Sequence, residues 1–161
     1  MTNDKGSKRN MHAGSAYERE LVAKFNGIAL FPEVGRSVEI DPELDKQKLD
    51  IIPVNSEDWD NFVYRIQAKN STKTVPYSAL IEQMKTLGGV PVILHKKTTK
   101  VADDRYLTQG KFAILRQGDF FDILEDMIKY KKGYKEIMNY WDYIPDDLKP
   151  GLHEELEKLG L

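Results

Sequence analysis

One stretch constrains the fold more than any other. From Phe62 to Lys69 the side chains alternate, with Phe62, Tyr64, Ile66 and Ala68 on one face and Val63, Arg65, Gln67 and Lys69 on the other. That two-residue period is the signature of a β-strand. Tyr77, Leu80, Ile81, Met84 and Leu87 then recur at helical spacing up to Gly88-Gly89, and the apolar run Val90-Pro91-Val92-Ile93-Leu94 reads as a buried strand. Strand, amphipathic helix, strand predicts a βαβ unit of the usual right-handed kind.

The flanking segments extend this unit. Residues up to Ala13 are polar, include Lys5, Lys8 and Arg9, and show no apolar period, so a flexible basic arm is expected over 1–13. Ser15 with Glu18 three residues later forms a capping-box pattern, and Tyr17, Leu21 and Phe25 follow at helical spacing until Gly27, which predicts a first helix. After the short apolar run 28–31, residues 33–48 are acidic and turn-rich, and Leu49-Asp50-Ile51-Ile52-Pro53-Val54 reads as a strand. Residues 96–110 form a Lys-rich hairpin or loop. Lys111 to Arg116 is a last strand, and Asp119 caps a helix carrying Phe121, Leu124, Met127 and Ile128. The expected architecture is an α/β core over 14–133, with a small mixed central sheet flanked by helices, followed by a helical, aromatic-rich extension over 134–161.

Composition narrows the function classes. A chain of 161 residues fits one domain, and the absence of cysteine excludes disulfide scaffolds, thiolate zinc sites, iron–sulfur clusters and cysteine nucleophiles. The three histidines are scattered and suggest no site. No apolar run approaches the ~20 residues of a membrane helix, and the opening MTNDKGSKRN lacks the apolar stretch of a signal peptide. The expected location is the cytoplasm, with no membrane partner. The net charge of −2 hides an uneven distribution: residues 37–60 hold two basic and eight acidic side chains, whereas 61–117 hold ten and three. A basic middle beside an acidic block suits a surface that attracts a polyanion next to a patch that collects divalent metal.

Three pieces carry the chemistry: Glu18 on the first helix, Asp50 at a strand, and Gln67-Ala68-Lys69 on the next strand, where Gln67 and Lys69 share a face. Pairing of those two strands brings Asp50 toward Gln67 and Lys69, and the first helix can add Glu18. Phosphodiester hydrolysis uses such a set, with hard oxygen ligands for Mg²⁺ and a lysine to orient the attacking water or steady the developing charge.

These residues resemble the PD-(D/E)xK nucleases, and within them the archaeal and phage Holliday junction resolvases. Gly14-Ser15-Ala16-Tyr17-Glu18-Arg19-Glu20-Leu21 is similar to the family's N-terminal helix, Asp50 to its central aspartate, Gln67-Ala68-Lys69 to its acid-x-lysine strand, and Gly88-Gly89-Val90-Pro91-Val92 to the strand after its crossover helix. The likeness spans roughly residues 13–125. It implies a restriction-endonuclease-like core and a Mg²⁺-dependent endodeoxyribonuclease, with Mn²⁺ as a substitute. Four-way DNA is the implied substrate, cut by paired nicks from a homodimer in a prokaryotic or phage-infected cell. It further implies that Glu18, Asp50, Gln67 and the Ala68 carbonyl hold the metal and that Lys69 is catalytic beside them.

The family's second strand acid is Gln67 here. A glutamine carbonyl can ligate a hard cation but contributes no charge, which implies weaker metal binding; Glu39, Asp41 and Asp45 are candidates to supply the missing charge. Lys5, Lys8, Arg9, Arg36, Ser37, Lys73, Lys96 and Lys97 are the candidate DNA contacts, while Tyr77 reads as core. The alternatives are a restriction-like or branched-DNA nuclease of the same fold, and a catalytically silent DNA-binding module.

Overall fold

A computed structural model of the chain describes residues 4–28, 31–59, 62–102 and 105–158. The chain divides into two compact units, Met1–Arg116 and Gln117–Leu161. The division expected after residue 133 falls inside a helix, because Gly133 alone does not interrupt the run of good helix formers around it.

The first unit is α/β. Its elements are α1 (Asp4–Phe25), β1 (Val34–Arg36), α2 (Ser37–Ile40), α3 (Pro42–Lys46), β2 (Ile51–Pro53), β3 (Tyr64–Ser71), α4 (Tyr77–Lys85), β4 (Val90–Ala102) and β5 (Arg105–Ile114). The five strands form one mixed sheet in the order β1-β2-β3-β4-β5, with β3 and β4 parallel and every other pair antiparallel. α4 makes the crossover between the parallel strands, as the spacing predicts.

Both faces of the central strands are covered, while β5 is exposed along most of its length. On one, Tyr17 and Leu21 of α1 pack with Val34, Ile51, Phe62, Ile66 and Ala68. On the other, Ile81 and Met84 of α4 pack with Leu49, Ile52 and Ile93. Met84 and Ile93 are wholly buried, and truncating either to alanine is expected to cost about 2–5 kcal/mol. Gly89 ends the crossover with φ +74°, and a Cβ there would sit 2.4 Å from the Val63 carbonyl oxygen, so this position admits only glycine.

Several boundaries differ from the sequence expectation. α1 starts at Asp4, so the segment read as a flexible arm continues the helix. It contains no proline, and Lys5, Lys8, Arg9, Met11 and Ala13 all favour helix. Ser15 is therefore inside the helix and not its cap. The first strand forms at Val34–Arg36, inside the block read as turns, where Asn26 clamps the Val34 backbone by accepting from its N–H at 2.8 Å and donating to its carbonyl at 3.0 Å. The Lys-rich stretch resolves as a hairpin of two long strands, consistent with the β-formers Thr98, Thr99, Val101, Tyr106, Leu107 and Thr108.

The second unit contains α5 (Gln117–Asn139), a 3₁₀ turn at Trp141–Tyr143 and α6 (Lys149–Lys158). α5 begins two residues before Asp119, which lies in its first turn. Tyr130, Tyr134 and Ile137 of α5 and Leu156 of α6 line a cavity of about 460 Å³. Among the described residues, no helix is long and apolar enough to cross a membrane.

Candidate active site

The site begins where β2 and β3 stop pairing. Their Cα register holds at Ile51–Ile66, and the Asp50 N–H donates to the Ile66 carbonyl at 2.8 Å. The Asp50 carbonyl accepts from the Ser37 N–H at 3.0 Å, so the main chain is tied on both sides. Beyond that point the Ala68 N–H has no β2 backbone to meet. It donates instead to Asp50 Oδ2 at 2.6 Å, and the Gln67 side-chain amide donates to the same oxygen. Within a strand the N–H and C=O of one residue lean the same way, so the Ala68 carbonyl also faces the Asp50 side.

Gln67 is buried to 1% exposure, and its Oε1 has no hydrogen-bond partner. An amide oxygen left unsatisfied in the interior costs on the order of 1–3 kcal/mol. The two halves of the same amide thus behave differently: Nε2 fixes a carboxylate, and Oε1 waits for a donor or a cation.

Asp50 is pushed up to about 6 from the usual carboxylate value. Burial is the main cause, the Glu18 charge adds to it, and the Lys69 ammonium, the Ala68 N–H and the Gln67 amide pull against it. Asp50 feels the charges of both Lys69 and Glu18, with opposite effects. Glu18 is also engaged by Arg36, whose Nε and Nη2 donate to Glu18 Oε2 at 2.9 and 2.8 Å.

The remaining predicted residues divide by environment. Arg36 is aimed inward, since besides Glu18 it meets Glu39 at 2.6 Å and donates to Ser15 Oγ at 3.2 Å, and its side chain is only 11% exposed. It is thus a partner of Glu18, where a DNA contact was expected. Ser37 is wholly buried and its hydroxyl donates to the Leu49 carbonyl, with Asp45 3.3 Å away, so it has no surface to offer a phosphate. Both corrections have one cause: the turn expected there is a strand running directly into α2, which folds these residues under the site.

Lys96 is held by Glu20 at 3.5 Å and lies 5.6 Å over the Tyr17 ring. Lys97 is exposed. Lys73 is exposed in a turn closed by Ser71 Oγ, which accepts from the Lys73 N–H at 2.9 Å, and it borders a polar cavity of about 470 Å³ with Asn70, Thr72, Thr98 and Tyr106. The side chains of Lys5, Lys8 and Arg9 lie outside the described residues. The three candidates in the acidic block are each engaged elsewhere: Glu39 pairs with Arg36, Asp41 caps α3 by accepting from the Glu43 N–H at 3.0 Å, and Asp45 faces Ser37.

Sequence reasoning gave Arg36 the wrong partner and did not connect His95 with Tyr77. Arg36 had a signal in its charge but none in its direction. His95 and Tyr77 meet at 2.7 Å, Nδ1 to Oη, through a strand register and a helix start that spacing alone does not connect.

Among the described residues, no group of three or more His, Cys, Asp or Glu side chains gathers in metal-binding geometry. The donors at Asp50 are hard oxygens of mixed type: its own carboxylate, an orphaned amide oxygen and a main-chain carbonyl, with the Glu18 charge felt at Asp50. Such a set suits Mg²⁺ or Mn²⁺ and not a soft metal. Comparison with protein-family models, curated proteins and solved structures finds no match to this chain. The functional reading therefore rests on the residues themselves.

Proposed function

We propose that this protein is a Mg²⁺-dependent, structure-selective DNA endonuclease with a restriction-endonuclease-like core, which resolves four-way junctions by paired nicks. The observation that carries this reading is the buried pair at the start of β2: an aspartate fixed by Gln67 Nε2 and the Ala68 N–H, beside an amide oxygen with no partner. Asp50, Gln67 Oε1, the Ala68 carbonyl and Glu18 would hold the ion. When bound, Mg²⁺ polarises the scissile phosphate and lowers the pKa of a bound water.

The chain's own residues do the rest. Gln67 and the Ala68 N–H hold the Asp50 carboxylate in one orientation. Lys69 on the same strand orients the attacking water and steadies the charge that develops on the phosphate. Arg36 keeps Glu18 paired until it is needed as a ligand. Paired nicks across a junction require two sites, which a two-fold homodimer supplies. Contacts would run through phosphates and DNA shape, with the exposed Lys73 and Lys97 as candidate cations.

A second reading, a DNA-binding module without cleavage, is favoured by one observation. The Glu18 carboxylate is already neutralised by Arg36, which competes with a cation. A labelled synthetic four-way junction and the matching linear duplex, each incubated with Mg²⁺, Mn²⁺ or EDTA, separate the two. Symmetric metal-dependent nicks in the junction alone support the resolvase. Cutting of linear duplex at a base sequence indicates a restriction-like enzyme, and binding without cleavage under any metal indicates the silent module.

A further inference from the structure

The turn at the end of β3 and the hairpin of β4 and β5 share the polar cavity of about 470 Å³, to which the turn gives Asn70, Ser71, Thr72 and Lys73 and the hairpin gives Thr98 and Tyr106. Its frame is held without any ligand. Ser71 Oγ accepts from the Lys73 N–H at 2.9 Å and donates to the Lys73 carbonyl at 3.1 Å, and Asn70 Nδ2 donates to the Ala13 carbonyl of α1 at 3.1 Å. A cavity preformed in this way is the usual form of a ligand site.

The lining chemistry selects the ligand. Among the described residues it consists of an amide, three hydroxyls, an ammonium and a phenol, with no carboxylate. Lys96 and Lys111 on the neighbouring strands are held by Glu20, whereas Lys73 is exposed and has no ion pair among the described residues. A cation with hydroxyl donors around it, and no acid to repel an anion, suits a phosphate. Tyr106 is 46% exposed and gives the cavity an aromatic wall, and bases of any identity stack on such rings. The volume falls in the ~300–1,000 Å³ range of small-molecule sites, enough for one nucleotide. A double helix, whose major groove alone is ~12 Å wide, cannot enter it.

We propose that this cavity binds one unpaired nucleotide of a DNA strand, with its phosphate on Lys73 and the Thr72 hydroxyl and its base against Tyr106. The proposal deepens the nuclease reading and rests on it for the choice of DNA as ligand. Asn70 follows Lys69 directly on β3, which sets the cavity one or two residues along the strand from the proposed catalytic lysine. An unpaired nucleotide is present at a frayed branch point or a strand end and absent from the interior of a linear duplex.

Backbone amide spectra of the full chain in EDTA test the site without cleavage. Single-stranded oligothymidylate of eight nucleotides should shift the amides of Ser71, Thr72, Lys73 and Thr98 saturably, and a matched duplex of the same length should bind there at least tenfold more weakly. In anisotropy titrations Lys73→Gln should lower the salt slope by ~0.7. Tyr106→Leu should weaken single-strand binding by about 5–100-fold, and Tyr106→Phe, which keeps the ring, should recover most of it. Shifts confined to other residues, or affinity and salt slope unchanged in both Lys73→Gln and Tyr106→Leu, overturn the proposal. Equal affinity for thymidine monophosphate and the oligonucleotide overturns the strand and makes the site one for a free nucleotide. A protein that nicks junctions yet shows no response at the cavity loses this inference alone, and one that fills the cavity but cuts no DNA keeps it and loses the nuclease reading.

Discussion

Arg65 and Gln67 stand two residues apart on β3, share a face and are both buried, yet the structure treats them in opposite ways. The Arg65 guanidinium donates to the Phe62 carbonyl at 2.6 Å and to the Leu87 carbonyl at 3.4 Å, and it lies 4.3 Å over the Trp59 ring. Its polar groups are spent on joining the strand to the loop after α4. Gln67 spends one half of its amide on Asp50 and leaves the other half with nothing. A buried polar group that is satisfied by main-chain carbonyls is structural; one left half-satisfied beside a buried carboxylate is where the proposed site would take its ligand. The same strand thus turns from scaffold to site between residues 65 and 67.

The strongest way to break this contrast is to remove charges at the Gln67 end. Lys69→Ala and Asp50→Asn are expected to lower junction cleavage by about 10²–10⁴-fold, with junction affinity changed little in a gel-shift titration. Cleavage at the unaltered rate in both variants dissolves the site. Asp50→Asn carries a second expectation of opposite sign. The folded Asp50 carboxyl titrates near 6, against 3.8 for the ordinary group. Its protonated form is therefore favoured by folding, and stability falls as pH rises between those values and stays flat above. Removing the charge should stabilise the metal-free protein at pH 7 by on the order of 2–3 kcal/mol, read from urea midpoints, with the gain vanishing near pH 4.

The Arg65 end should respond in the reverse pattern. Arg65→Met leaves the Phe62 and Leu87 carbonyls without their buried donor and is expected to cost about 1–3 kcal/mol. The rate of cleavage per folded molecule should not change. A rate loss larger than the stability loss places Arg65 in the site and erases the distinction drawn here.

Much of this was legible in the chain. The alternation over Phe62–Lys69 and the helical period after Tyr77 describe β3, α4 and β4 because burial on opposite faces leaves a periodic trace. Glu18, Asp50 and Lys69, the proposed site residues, could be named because each lies on or beside a periodic element. Other features leave no such trace. β1 is three residues long, too short for a period, and the burial of Ser37 follows from that hidden strand. Arg36 reads as a surface cation until the fold turns it toward Glu18. The meeting of His95 and Tyr77 depends on strand register, which spacing within either segment does not encode. The aromatic and charged composition of residues 117–161 did not reveal that the second unit begins at Gln117.

Smaller effects sharpen the comparison. Gln67→Glu places a third charge beside Asp50 and is expected either to lower the Mg²⁺ concentration for half-maximal cutting by about tenfold or to leave cutting unchanged. Total loss of activity assigns Gln67 some other role. Lys97→Ala, at an exposed cation, should reduce the salt slope of junction binding by ~1 and leave the chemical step alone.

The central claim is that the orphaned Gln67 oxygen and the Asp50 carboxylate form a cation site. Calorimetric titration of Mn²⁺ into the full chain at pH 6, in buffers of different ionisation enthalpy, tests it most directly. The account predicts saturable binding with proton release, because the carboxyl titrating near 6 must lose its proton to bind the metal, and loss of that binding in Asp50→Asn. Identical titrations for the unaltered protein and Asp50→Asn would contradict it.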